Sequence, residues 1–108
     1  MKKMLIVDDS LMVRRSIERL LGTDQMEIQQ AANGREALNV FKDFLPDYVT
    51  MDLTMPEMDG LECLTELIKI KEDTKIMVVS ALADKRSAIE ALKNGAQAFV
   101  LKPFTPEQ

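Results

Sequence analysis

Residues 47–60 read DYVTMDLTMPEMDG, and this stretch decides the fold. A short apolar run, Tyr48 to Met51, ends in a carboxylate at Asp52. Loop chemistry follows, with Pro56 and then the Asp59-Gly60 turn. That pattern describes a buried strand that stops by delivering one acid to a surface loop. Three other apolar runs end in the same way: Asp8 and Asp9 close one, Ser80 a second and Lys102 a third. Four such endings point to one shared site.

Outward from this centre, strands are expected at 4–7, 27–31, 48–51, 76–79 and 98–101. The run at 27–31 is the more polar, as suits a sheet edge. Between the strands, apolar residues recur at helical spacing. Ser10 caps a helix carrying Val13, Ile17, Leu20 and Leu21, which stops at Gly22. Asn33 with Glu36 opens a second helix, through Ala37, Leu38, Val40 and Phe41, and Pro46 ends that region. Asp59 with Glu62 opens a third, through Leu61, Leu64, Leu67 and Ile68. A fourth, over 85–94, should turn Ala88, Ile89, Ala91 and Leu92 inward before Gly95. Thr105-Pro106-Glu107 reads as the start of a fifth. Such alternation calls for an α/β fold: a parallel sheet with helices on both faces. In these sheets the ligand crevice lies at the carboxyl ends of the strands, near the topological switch point.

The bulk properties narrow the chemistry. A chain of 108 residues, 46% hydrophobic and 30% charged, suits one globular domain. Its net charge of −4 and lack of a basic block argue against nucleic-acid binding by this segment. No window approaches the ~20 apolar residues of a membrane helix, and the cytoplasm is the expected compartment. The single Cys63 reads as a buried thiol. With no histidine, Ser-His-Asp and Cys-His catalysis are excluded, and metal ligands must be oxygens.

Asp8, Asp9 and Asp52 gathered at strand ends would repel one another, and a hard divalent cation relieves that repulsion. Magnesium suits carboxylates plus a carbonyl. Lys102 adds a fixed positive charge and Ser80 a hydroxyl. Together these complement the oxygens of a phosphoryl group in transfer, with Asp52 as nucleophile forming an acyl phosphate. Each residue alone has a plainer reading: a capping pair, a strand-end hydroxyl, a solvated lysine. Their shared position at strand ends favours the site.

The motifs VDDS (7–10), MDLTMPEMDG (51–60), VVSA (78–81) and FVLKPF (99–104) together resemble the receiver domain of bacterial two-component response regulators. The single-domain chemotaxis type is the nearest flavour. The resemblance covers the whole chain. It implies a flavodoxin-like, doubly wound sheet of five strands in order 2-1-3-4-5, and a domain over 1–108 that reads as truncated before its last helix. It implies that Asp52 takes phosphate from the phosphohistidine of a histidine kinase or phosphotransfer protein. Asp9 and Asp52 would ligate Mg2+ directly, Asp8 through water, and the Thr54 carbonyl would complete the set. Lys102 would contact the phosphoryl group, ahead of a cis bond to Pro103. Ser80 and Phe99 match the hydroxyl and aromatic positions of the activation switch, although many members carry threonine and tyrosine there. Thr54 and Leu82 would flank the water that hydrolyses the acyl phosphate, and offer it little polar help. Leu11 and Met12, off the apolar face of the first helix, are candidate docking residues for the kinase. The output protein or effector domain is not identifiable from these residues.

Two other classes stay in view. Phosphatases of the haloacid dehalogenase type also use a strand-end Asp, magnesium and a lysine, but need a second Asp where this chain has Thr54. A pseudo-receiver would be a binding module with the site unused, against which the intact acid, hydroxyl and lysine set argues.

Overall fold

The apolar runs form the strands and the helical spacings form the helices of the computed structural model. It describes residues 2–22, 24–52, 60–80, 89–90, 92–93 and 95–101, with backbone alone at 60–61, 80 and 99–101. In chain order they are β1 (Lys2–Val7), α1 (Leu11–Leu21), β2 (Met26–Ala31), α2 (Gly34–Phe44), β3 (Tyr48–Met51), α3 (Gly60–Ile70), β4 (Lys75–Ser80) and β5 (Ala98–Leu101). The strands pair in parallel in the order β2-β1-β3-β4-β5, the flavodoxin-like arrangement. The more polar β2 is indeed an edge, its residues alternating between half-buried and exposed until the buried Ala31. No described helix is long and apolar enough to cross a membrane.

Central strand β1 is covered on both faces over Met4–Val7, and Val49–Met51 of β3 are buried beside it, in keeping with their continuous runs. One face meets α2 and α3 in the larger core, which includes Leu5, Val7, Phe41, Val49, Leu64, Leu67 and Ile76. Cys63 is buried there, its Sγ donating to the Gly34 carbonyl at 3.6 Å. The other face meets α1 in a smaller cluster of Met4, Ile6 and Ile17. Along it runs a groove of about 1070 Å³, lined by Met4, Met26, Tyr48, Thr50, Met77 and Ala98 among others.

Local chemistry sets the boundaries. Ser10 Oγ accepts from the Val13 amide, and Asn33 Oδ1 accepts from the Glu36 amide, so these two expected caps form, while the one expected at Asp59 lies outside the described residues. Strand β1 begins two residues before its apolar run, because ladder bonds need backbone and not apolar side chains. Asp47 ties the start of β3 to its neighbours: its Oδ2 accepts from the Lys3 amide at 3.0 Å, and its carbonyl from the Lys75 amide. The Lys3 amide, with the charges of Lys2, Lys71 and Lys3, holds the Asp47 carboxyl below its ordinary range. Its contribution to stability is therefore present at neutral pH and fades as pH falls through that lowered value.

Gly22 ends α1 by close approach and not by handedness. Its φ is −74°, but an added Cβ would lie 2.5 Å from the Glu18 carbonyl oxygen. Gly95 is the left-handed stop, with φ +118° and an added Cβ 3.0 Å from Ile68.

One expectation is corrected. Residues 89–90 and 92–93 are helical, but Ile89 is 49% and Leu92 48% exposed instead of inward. At ~100° per residue, apolar positions 88, 89, 91 and 92 span an arc of roughly 160°, wider than the stripe a helix lays on a sheet. Ile89 stands at one edge of that arc and Leu92 near its middle, so the apolar pattern marks a face without fixing what covers it. Ala88, Ala91 and the expected helix start at 105–107 lie outside the described residues.

Two substitutions test the packing. Gly95→Ala should lower stability by about 1–3 kcal/mol, read as a lower urea midpoint, since the new side chain meets both a left-handed backbone and Ile68. Thr50→Val should raise it by about 1 kcal/mol, because the buried Thr50 hydroxyl has no hydrogen-bond partner among the described residues.

Candidate functional site

Strand register brings the acids together. Val7 pairs with Ala31 on one side and Met51 on the other. The ladder runs one bond further each way: the Asp8 amide donates to Ala31 O at 3.1 Å, and the Asp52 amide to Val7 O at 3.0 Å. Asp8 follows Ile6 by two residues and Asp52 follows Thr50 by two, so the pleat carries both toward the α1 face. The turn into α1 adds Asp9. Asp8 Oδ1 accepts from the Ser10 amide at 2.9 Å, which folds the chain sharply into the Ser10 cap.

The three acids each place a carboxylate oxygen within 4.8 Å of the other two. Asp8 and Asp52 are buried, at 1% and 2% exposure, while Asp9 is exposed. Unit charges at that spacing repel by roughly 3 kcal/mol per pair at an effective dielectric near 20. The donor set is hard oxygen only, which suits Mg2+ or Ca2+. Two ligands of one magnesium ion lie at most about 4.2 Å apart, twice a Mg–O bond. A cluster of this spread fits such an ion with a small inward shift, or with one acid acting through water.

The other expected residues divide. Ser80 closes β4, and its backbone pairs with Leu101, the residue before Lys102. Phe99 lies in β5 opposite Val78. Thr54, Leu82, Lys102 and Pro103 lie outside the described residues. Leu11 and Met12 are 47% and 80% exposed at the start of α1, beside the acidic turn. The large groove belongs elsewhere: Lys2, Asp47, Lys75 and Gln97 place it toward the amino ends of the strands. The site is marked by its converging carboxylates.

One contact had no sequence signal read from it. Arg14 reaches back from α1, its Nη1 donating to the Asp8 carbonyl at 2.6 Å and its Nε to Gln30 Oε1 at 3.0 Å. A polar residue on the half-buried side of α1, facing a glutamine in β2, was the available clue.

Residues 4–108 match the model of the response regulator receiver domain. The chain belongs to the response regulator receiver family. It is 43% identical over 108 residues to the chemotaxis protein CheY of Thermotoga maritima, covering 99% of this chain and 90% of that one. Among solved structures it resembles the CheX-CheY-BeF3-Mg2+ complex of Borrelia burgdorferi, with a TM-score of 0.91 and 31% identity, covering 98% of this chain and 81% of that one. It also resembles a Burkholderia pseudomallei response regulator solved with a phosphorylated aspartic acid, calcium and citrate. There the TM-score is 0.89 at 28% identity, covering 99% of this chain and 63% of that one. Receiver domains of this family are phosphoacceptor switches.

Crowded charge should be measurable in this receiver without any ligand. In buffer free of divalent ions, Asp8→Asn should raise stability by about 1–3 kcal/mol, seen as a higher urea midpoint, because it removes one charge and keeps the acceptor for Ser10.

Proposed function

We propose that Asp52 is the phosphoacceptor of this receiver, taking a phosphoryl group from the phosphohistidine of a histidine kinase or phosphotransfer protein. The observation that carries this reading is the buried Asp52 carboxylate at the end of β3, with oxygens of Asp8 and Asp9 within 4.8 Å. An Asp52 oxygen attacks phosphorus, the P–N bond breaks, and its electron pair returns to the imidazole, which takes up a proton. The product is a mixed anhydride on Asp52.

Asp9 and Asp52 would hold Mg2+ directly and Asp8 through water, with the Thr54 carbonyl completing the protein's share. The ion, when bound, offsets the negative charge gathered where attack occurs. The chain's own residues do the rest. Asp8 and its Ser10 turn fix the loop, Ser80 offers a hydroxyl to the phosphoryl oxygens, and Lys102 offers a positive charge. Ser80 and Phe99 would carry the change onward to an output partner. The solved relatives bound to BeF3 with Mg2+, and phosphorylated on aspartate, support this assignment.

The exposed Leu11 and Met12 are the apolar contacts we assign to the phosphodonor, since they flank the acidic turn. We place the exchange in the cytoplasm and read the chain as a signalling acceptor and not a turnover enzyme.

Incubation with acetyl phosphate and Mg2+ should add one phosphate to the protein's mass. Asp52→Asn should abolish the gain while leaving the fold intact, and chelation of divalent ions should suppress it in the parent. An Asn variant that labels at the parent's rate would remove Asp52 from the role.

A further inference from the structure

Arg14 carries none of the phosphoryl-transfer roles above, yet it grips the backbone that presents two of the three acids. The peptide joining Asp8 to Asp9 is the critical link. The Asp8 amide is fixed on Ala31 O, and Asp8 Oδ1 on the Ser10 amide. Those bonds leave the Asp8 carbonyl to be set. Arg14 Nη1 meets it in a short, charge-assisted bond of 2.6 Å. Arg14 is itself held: its Nε donates to Gln30 Oε1 at 3.0 Å, and Gln30 Nε2 donates to Glu18 Oε1 at 3.3 Å. The network thus runs from the outer side of α1, through β2, to the turn after β1.

Fixing that carbonyl fixes rotation about the Asp8 Cα–C bond, and with it the direction in which Asp9 leaves the chain. Asp9 is exposed, so its place depends on the backbone that carries it. We propose that Arg14 is a positioning residue for the divalent-cation site, holding the Asp8–Asp9 peptide so that Asp9 faces Asp8 and Asp52. This rests on the reading of the three acids as a Mg2+ site.

Two effects of Arg14 on cation binding have opposite signs, and that makes the inference testable. As a positive charge near the acids, it repels the cation, so losing it would tighten binding. As a clamp, it preorganises the ligands, so losing it would weaken binding. Arg14→Lys keeps the charge and gives up the planar fork that bonds carbonyl and amide together. The dissociation constant for Mg2+, measured by calorimetry on folded protein, should rise about tenfold, as when partners that orient metal ligands are lost. Gln30→Met leaves Arg14 in place but removes the acceptor of its Nε, and should raise the constant less, with the same sign. Urea midpoints are measured alongside. A lower midpoint with an unchanged Mg2+ constant would reduce Arg14 to a structural residue and overturn the inference, as would tighter binding. Should Arg14→Lys not fold, Gln30→Met carries the same test. A parent that binds Mg2+ beside variants that bind equally well removes this inference alone. A parent that does not bind Mg2+ removes the functional reading and this one with it.

Discussion

Holding Asp8, Asp9 and Asp52 within 4.8 Å of one another is uphill, and the scaffold around them is built to do it. Repulsion of roughly 3 kcal/mol per pair is a large part of the ~5–15 kcal/mol by which a domain is stable. Flexible loops would relieve it by moving apart. Here they cannot, because Asp8 and Asp52 are each one hydrogen bond beyond the buried end of a strand, Met4–Val7 in β1 and Val49–Met51 in β3. The backbone bond between Asp52 and Val7 is what makes two acids, 44 residues apart in sequence, adjacent in space.

The two faces of the sheet contribute unequally to that rigidity. Beneath α2 and α3 the core is broad, with Phe41, Leu64, Leu67 and Ile76 fully buried. On the α1 face only Ile17 of the helix is buried, against Met4 and Ile6. Burial of a large aliphatic side chain stabilises by ~1.5–3 kcal/mol, so α1 is held mainly by other means. Its polar bonds take up the difference: the Ser10 cap, and Arg14 and Glu18 joined to Gln30. The acidic turn therefore lies between a rigid floor and a helix anchored by hydrogen bonds. Such bonds have direction, and direction is what a ligand set needs.

Much of this was legible in the chain. Strands buried on both faces announce themselves as apolar runs, and strands β3 and β5 fall where the runs at 48–51 and 98–101 put them. Asn33 and Ser10 act as the caps their side chains suggest, and Asp8, Asp9 and Asp52 converge because parallel strands share a carboxyl edge. What escaped has physical reasons. Lys2 and Lys3 belong to β1 because pairing with Met26 and Glu27 uses backbone alone. Ile89 and Leu92 are half exposed because periodicity shows that a face is apolar and not what covers it. Gly22 ends the helix where the sequence put its stop, but the reason it is glycine, a Glu18 carbonyl too close for a Cβ, is a contact that the sequence does not show. The grip of Arg14 on the acidic turn left only the faint clue of Gln30, because the group it holds there is a backbone carbonyl, and carbonyls carry no sequence identity.

Charge also dictates the order of events on the proposed reaction. Three carboxyl groups already share one turn-sized volume, each with an oxygen within 4.8 Å of the other two. Phosphorylating one of them exchanges a carboxylate for a group of charge about −1.5 to −2, so the negative charge there rises. At dielectrics near 20 each added charge at this spacing meets several kcal/mol of repulsion, which no hydroxyl offsets. A divalent cation among the acids lowers that charge before the phosphoryl group arrives, and an ammonium such as the expected Lys102 lowers it again. On that proposal a cation would bind ahead of phosphorylation, and it would also stabilise the folded state by mass action. On the same proposal, the geometry that crowds the acids would make the domain's stability respond to a bound cation. A switch needs two states that a ligand tells apart, and a site strained when empty and neutralised when filled supplies that difference.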